Sequence, residues 1–214
     1  GLSTGIFGVM VGTGGGIILV PLLIIIFGID PVLAAGTSIV LVAINSFSGT
    51  LVYLKRRLVD VRSGLIFAIS AIPGAIVAPF FVESIDAEQF RVLFGIILVA
   101  VGMYMLVRKV ADVPKHSSEA ISISWMLKSR CITTGEGEVF RYDVNEFVAV
   151  IFNIGIGFIS SFFGIGGGFI RTPILMSLLS PPPQLAVTTS LFALSFYASA
   201  GASVYIGLEY VQWY

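Results

Sequence analysis

Residues 12–21 read GTGGGIILVP, and residues 164–173 read GIGGGFIRTP. The second stretch follows the first by 152 residues, and this spacing holds without a gap for about forty further residues. The identical pairs at this spacing include Pro31 and Pro183, Thr37 and Thr189, Ser38 and Ser190, and Gly49 and Gly201. A single register kept over that length indicates an internal duplication. We therefore expect the functional site to lie where the two copies meet.

The composition is that of a membrane protein. Only 11% of the residues are charged, whereas soluble domains have about 25%, and the mean hydropathy is +1.02. Residues 1–54 contain one charged side chain, Asp30, and residues 147–208 contain only Arg171. Because a spanning helix needs about 20 mostly apolar residues, these blocks predict transmembrane helices. The net charge of zero gives no reason to expect nucleic acid as a partner.

Six apolar segments are predicted to be helices, at residues 1–27, 31–54, 63–82, 90–107, 145–179 and 181–205. They predict an all-α polytopic membrane protein of two tandem homologous repeats, each opening with a helix that its glycine run breaks. The predicted domains are a first repeat of four spans at residues 1–108, a polar cytoplasmic loop at 109–143, and a second repeat at 144–214. The second repeat reaches only its second span, so we expect about eight spans when complete, with six present here.

Basic residues suggest how the repeats are oriented. Lys55, Arg56 and Arg57 follow one predicted span, and Arg108 and Lys109 follow another, which places both ends on the cytoplasmic side. Four spans then separate the copies, which favours parallel repeats. Inverted repeats would need an odd number of crossings, for instance if a glycine break made a re-entrant hairpin. We prefer the parallel arrangement.

The combination of motifs resembles a known family. The glycine-rich first helix at residues 12–21 is followed by an Ala-x-x-Thr-Ser motif at 34–38, which recurs at 186–190, and by a basic turn at 55–60. In this order the chain resembles, over nearly its whole length, the TauE/SafE (toluene-sulfonate uptake permease) family. The resemblance implies a transporter of about eight spans that moves sulfite or an organosulfonate across the bacterial inner membrane, with the small anion and the lipid bilayer as partners. It does not identify the particular substrate.

Glycine runs within a span have a chemical use. Three consecutive glycines favour a break in the helix, because glycine adopts unusual dihedral angles and has no Cβ. A helix that restarts after such a break presents free N–H groups and the positive end of its dipole, which suits an oxyanion. The alternative is close helix packing through small residues, which is frequent in membranes.

Polar side chains near the glycine runs complete the predicted site. Hydroxyl groups from the two Thr-Ser pairs could donate to an anion, or could bond to a carbonyl of their own helix. Arg171 is a guanidinium at membrane depth, which is a functional candidate by default, although it could instead reach the interface or pair with Glu146 or Asp60. Its counterpart in the first copy is Leu19, so the copies are not equivalent. The predicted substrate-binding residues are Gly14, Gly15, Gly16, Thr37, Ser38, Gly166, Gly167, Gly168, Arg171, Thr189 and Ser190.

The same residues argue against an enzyme. The predicted spans contain no Cys/His pair and no acidic pair, and Cys131 is the single cysteine of the chain. Neither glycine run is followed by Lys and Ser or Thr, so a phosphate-binding P-loop is excluded. We predict no catalytic residues, no metal and no cofactor. The rival functions are an anion channel and a membrane scaffold, and a coupling ion (proton or sodium) and a homo-oligomer stay open.

Overall fold

The computed structural model describes residues 5, 8, 14–107, 127–133, 139–168, 170–172 and 183–212. Its helices are α1 (Gly16–Ile25), α2 (Pro31–Lys55), α3 (Val61–Val82), α4 (Ala87–Val107), α5 (Glu146–Phe163) and α6 (Pro183–Gly207). Parts of the predictions lie outside the described residues, namely the beginning of the first glycine run, most of the polar segment and the region between Arg171 and α6.

The start of α2 follows directly from its sequence. Pro31 occupies the first helical turn, where its missing N–H is not needed. The carboxylate of Asp30 caps the helix by accepting a 2.9 Å hydrogen bond from the N–H of Val32. Helix α6 has the same length of 25 residues and also begins at a proline, Pro183, which is the counterpart of Pro31 in the second copy.

One element departs from the predicted all-α fold. Strands β1 (Leu127–Thr133) and β2 (Val139–Asn145) form an antiparallel pair in which Cys131 lies opposite Arg141. They lie in the segment that we predicted to be a polar loop. β2 contains two valines with Phe140 and Tyr142, and β1 ends in Ile132 and Thr133. Such β-branched and aromatic residues favour a sheet.

The described helices fit a bilayer in length and composition. Four of them are long and apolar enough to span it: Pro31–Lys55, Val61–Val82, Ala87–Tyr104 and Gln184–Gly207. Shorter apolar helices occur at Gly16–Ile25 and Val150–Phe163. Many large apolar side chains are exposed, for example Leu106 at 83% and Ile69 at 66%. Such surfaces are stable against lipid rather than water, so the chain is a multi-pass membrane protein.

Small residues let α3 and α5 pack backbone against backbone. A Cβ built on Gly157 would lie 2.1 Å from the backbone oxygen of Ala71, and one built on Gly74 would lie 2.2 Å from the oxygen of Ile154. Side-chain atoms cannot occupy such positions, so the two glycines permit the contact. This is the small-residue packing typical of membrane helices. Helix α3 also packs against α6, and α6 packs along α2.

The contacts between α2 and α6 show that the two helices run antiparallel. Thr37 in the second turn of α2 accepts a hydrogen bond from Gln212, which follows the end of α6. Near the opposite end, the Thr50 hydroxyl of α2 donates to the backbone oxygen of Leu191, which lies early in α6. Because α2 and α6 are equivalent helices of the two copies, the preferred parallel arrangement of the copies is wrong for this pair.

The reversal has a physical cause at the glycine runs. After α5 the chain turns at Gly164 and Gly166, whose φ angles are 65° and 72°. A Cβ on Gly167 would contact Ser160 and Ile156 of α5, so the chain comes back along the helix that it has just left. In the first copy the N–H of Gly14 likewise donates to the oxygen of Gly8.

Candidate functional site

The two glycine runs lie close together inside the helical bundle. A Cβ built on Gly16 would lie 2.3 Å from the backbone oxygen of Gly164 and 2.8 Å from the Cα of Ile165. Gly14 adopts a left-handed conformation with φ 71°, within 1° of its counterpart Gly166. Its own Cβ position contacts the side chains of Val42 and Leu194, one from each copy. The glycine turns therefore lie together at the contact of the copies.

Close packing accounts for several of these glycines. Gly15 has φ 93° and caps the N-terminus of α1, and Gly16 is the first residue of that helix. Gly167 leaves no space for a side chain, because a Cβ there would lie 2.5 Å from the Tyr197 hydroxyl. Gly168 begins the short helical segment that carries Arg171. A role of these backbones in substrate binding stays a prediction.

Three of the four hydroxyl groups of the Thr-Ser pairs, those of Thr37, Ser38 and Thr189, form hydrogen bonds across the copies. Thr37 accepts a 3.0 Å hydrogen bond from the N–H of Gln212, and Thr189 accepts a 3.1 Å bond from the N–H of Asp60. Ser38 donates to the oxygen of Gly164 at 2.7 Å. The Ser190 hydroxyl is fully buried and has no hydrogen-bond partner in the described part of the chain.

Arg171 is buried deep in the bundle. Its side chain is 1% exposed, so it does not reach the surface. The aromatic ring of Tyr197 lies 4.9 Å from the guanidinium carbon, and that of Phe67 lies 6.0 Å from it. Nε, Nη1 and Nη2 have no hydrogen-bond partner among the described residues. The rings cover the guanidinium by cation–π contact, whereas the N–H groups lie in its plane and point away from its faces.

The side chains of Tyr197 and Ser160 lie beside the second glycine turn. A Cβ built on Gly167 would lie 2.5 Å from the Tyr197 hydroxyl and 3.2 Å from the Cβ of Ser160. Both residues are fully buried, and neither hydroxyl makes a well-formed hydrogen bond in the described ranges. The short helical segment positions Arg171 here, since the Arg171 N–H donates to the oxygen of Gly167 at 2.8 Å. One buried cation and two hydroxyl groups thus surround the second glycine turn.

Sequence reasoning selected Arg171 but missed its neighbours. Tyr197 and Ser160 were not among the predicted substrate-binding residues. At the 152-residue spacing, the counterparts of Ser160, Arg171 and Tyr197 are Gly8, Leu19 and Asn45. Many other pairs at this spacing also differ, for example Asp30 and Pro182, so a difference between the copies does not by itself mark the site.

Other polar residues have structural roles. Asp60 caps α3 by accepting from the N–H of Ser63. Tyr205 donates from its hydroxyl to the backbone oxygen of Ser161 at 3.0 Å. The described residues contain no group of three or more His, Cys, Asp or Glu side chains that could hold a metal ion. The site is thus a buried set of hydrogen-bond donors that could hold an anion.

Comparisons with known proteins agree with a transport protein. The family model described as "Sulfite exporter TauE/SafE" matches residues 1–214. "Probable membrane transporter protein YunE" of Bacillus subtilis is 30% identical over 220 residues, covering 100% of this chain and 78% of the relative. A "Probable membrane transporter protein" of Xylella fastidiosa is 29% identical, covering 95% of this chain and 70% of the relative. "Probable membrane transporter protein MJ0441" of Methanocaldococcus jannaschii is 29% identical, covering 96% of this chain and 70% of the relative. No solved structure matches the chain.

Proposed function

This chain belongs to the TauE/SafE family of membrane transporters, and we propose that it moves a small sulfur-containing oxyanion across the bacterial inner membrane. The substrate class is sulfite or an organosulfonate. The path runs between the two copies, and the substrate binds at Arg171. The observation that carries this proposal is the buried Arg171 guanidinium, which lacks a hydrogen-bond partner in the described part of the chain.

An unpaired buried cation is expensive. A charged group that leaves water without a compensating partner loses several kcal/mol in effective solvation, and polar groups at membrane depth mark substrate paths for that reason. The aromatic rings of Tyr197 and Phe67 offset part of this cost through the faces of the guanidinium. The N–H groups in the plane match the spacing of two oxyanion oxygens. An anionic substrate would therefore supply the missing partner.

The neighbouring hydroxyl groups supply further donors. A sulfonate or sulfite has three oxygens, of which the guanidinium can hold two. Tyr197 and Ser160 both border Gly167, and we expect their hydroxyl groups to donate to the remaining oxygen. The absence of a side chain at Gly167 leaves these groups close to the backbone of the turn. On this proposal all the donors come from the second copy, whose positive charge attracts the anion.

Equivalent local structures support the two-repeat architecture that the proposed path requires. Left-handed residues occur at Arg57 and Glu209, which are counterparts with φ angles of 53° and 61°. The hydrogen bond from Leu58 N–H to the Tyr53 oxygen likewise recurs from Tyr210 to Tyr205. Antiparallel packing of α2 against α6 makes the proposed copies inverted, so an axis in the membrane plane relates them. In transporters of this kind the substrate site lies near the midplane.

Uptake into liposomes tests the proposal. We expect the reconstituted protein to take up a sulfur oxyanion in a panel of sulfite, sulfate, thiosulfate, sulfonates and carboxylates. Arg171→Leu should abolish this uptake, and Arg171→Lys should keep part of it, because lysine retains the charge without the two-pronged geometry. Arg62→Leu, which removes an exposed arginine, is the control and should transport like the parent.

Each outcome has a separate meaning. If Arg171→Leu transports as well as the parent, the assigned site is wrong. If the parent moves none of the sulfur oxyanions, the proposed substrate class is wrong. Measurements with and without a proton gradient distinguish a coupled transporter from a channel, since a channel conducts without a coupling ion.

A further inference from the structure

Helices α2 and α6 are each followed by a segment with the same backbone conformation. We name residues 56–60, after α2, the first crossing segment, and residues 208–212, after α6, the second crossing segment. Arg57 and Glu209 hold the left-handed conformation at the same position of each. The next residue donates its N–H back to a helix tyrosine, from Leu58 to Tyr53 at 3.2 Å and from Tyr210 to Tyr205 at 3.0 Å.

Each crossing segment binds the beginning of the other copy's long helix. The N–H of Asp60 donates to Thr189 at 3.1 Å, and the N–H of Gln212, the counterpart of Asp60, donates to Thr37 at 3.0 Å. A second pair of contacts is also reciprocal. Thr188 donates to the oxygen of Leu58, while its counterpart Gly36 lies so close to the oxygen of Tyr210 that a Cβ would come within 2.0 Å.

The two sets of contacts lie at opposite ends of the antiparallel pair. The first crossing segment joins the end of α2 to the beginning of α6, and the second joins the end of α6 to the beginning of α2. Gly164 lies near the contact of the second crossing segment, because Ser38, the residue after Thr37, donates to its oxygen. Gly14 lies farther along the pair, where its Cβ position contacts Val42 of α2 and Leu194 of α6. The first glycine turn is therefore situated between the contacts of the two crossing segments.

We propose that the two crossing segments are the two gates of the transport path, each opening to one face of the membrane. This inference rests on the transport function proposed above. Inverted repeats produce alternating access by moving one repeat against the other around a fixed site. Equivalent contacts at the two ends give two open states of similar free energy, one for each face. Both sets of contacts are formed in this structure, which is therefore the state with both gates closed.

The threonines at the two ends offer a matched pair of variants. Thr37→Ala removes the acceptor that holds the second crossing segment, and Thr189→Ala removes the acceptor that holds the first. Loss of one hydrogen bond shifts an equilibrium by about tenfold. A reporter thiol introduced by Ser160→Cys, in a Cys131→Ser background that removes the single native cysteine, lies beside the proposed site. A membrane-impermeant maleimide applied to right-side-out and inside-out vesicles then measures access from each face.

We expect Thr37→Ala to raise labelling of the reporter about tenfold from the face of the second crossing segment only, and Thr189→Ala to do so from the opposite face only. Gly36→Ala, which must displace Tyr210, should act as a stronger form of Thr37→Ala. Unchanged labelling in folded variants, or an equal rise in labelling from both faces, would show that the crossing segments are not the two gates. Because labelling needs no substrate, its failure is distinguishable from failure of oxyanion uptake by the parent protein.

Discussion

Ser38 donates a 2.7 Å hydrogen bond from its hydroxyl to the backbone oxygen of Gly164, which joins the Thr-Ser motif of the first copy to the glycine turn of the second. Sequence reasoning placed Ser38 in one site with Gly166, Gly167 and Gly168, but it did not include Gly164. The bond has a structural purpose, because Gly164 lies in a left-handed turn outside any regular helix. A buried carbonyl in such a turn needs a donor from elsewhere in the protein.

Ser38→Ala should therefore destabilise the fold. The buried Gly164 carbonyl would lose its donor, at a cost of about 1–3 kcal/mol. The measurement is thermal unfolding of the purified protein in detergent. The control is Ser46→Ala in the same helix, since Ser46 donates only to the Ala43 oxygen three residues earlier. Such a local bond adds little to a helix. Equal losses in the two variants would contradict a special role for the Ser38 bond.

The bounds of the long helices could be predicted from sequence. A helix was predicted at residues 31–54 and is observed at Pro31–Lys55, because a proline suited to a first helical turn marks its beginning and a basic cluster marks its end. The direction of the second copy could not be predicted. A glycine run permits both a kink and a reversal, and the choice depends on contacts between residues far apart in sequence, such as Gly16 and Gly164. The hairpin was missed because its polar composition resembles that of a loop.

The candidate site was only partly predictable for a related reason. Arg171 stands out as the single charge in a long apolar region. Tyr197 does not, since a tyrosine in a membrane helix fits an interfacial belt or a helix contact as well as a site. Ser160 belongs to α5 and reaches the site only because the chain folds back at the glycine turn. Its place depends on that tertiary contact and is not visible in the local sequence.

The contact between α3 and α5 predicts that alanine substitutions at two glycines of α5 differ sharply in their effect on stability. Gly157→Ala would place a Cβ 2.1 Å from the Ala71 oxygen, and such overpacking costs about 1–3 kcal/mol. Gly155→Ala, two residues earlier, meets nothing within 4 Å and should leave stability unchanged or slightly higher, because alanine favours a helix. Thermal unfolding of both variants in detergent measures the difference. Similar unfolding temperatures would mean that the helices are not in backbone contact.

Substitutions of two tyrosines of α6 should have different effects, one on substrate affinity and the other on stability. Tyr197→Phe keeps the ring beside Arg171 but removes the hydroxyl, so oxyanion affinity should fall about tenfold, the value of a hydrogen bond to a charged group. Tyr205→Phe instead removes the bond to the Ser161 oxygen and should lower the unfolding temperature without changing affinity. Isothermal titration with a sulfonate and thermal unfolding distinguish these effects. Unchanged affinity in Tyr197→Phe would remove its hydroxyl from the site.

The final prediction concerns moving the charge from one copy to the other. Leu19→Arg combined with Arg171→Leu places the guanidinium at the equivalent position of the first copy, where the side chain is also buried, at 7% exposed. If charge at this depth were sufficient for transport, the double variant would recover the activity lost in Arg171→Leu. We expect no recovery, because the counterparts of Tyr197 and Ser160 in the first copy are Asn45 and Gly8. Asn45 already donates to the oxygen of Gly14 at 3.3 Å, and Gly8 offers no hydroxyl.

Flux of a sulfur oxyanion into liposomes, normalised to the amount of folded protein, measures this outcome. Full recovery in the double variant would show that the charge alone selects the substrate and that the neighbouring hydroxyl groups contribute nothing. A third variant adds Gly8→Ser and Asn45→Tyr to the exchange, and any gain of flux that it shows over the double variant would come from those donors. Since a Cβ at Gly8 would lie 2.0 Å from the Gly15 nitrogen, its unfolding temperature must be measured alongside. If the variant with both added substitutions does not fold, a variant that adds only Asn45→Tyr to the exchange takes its place.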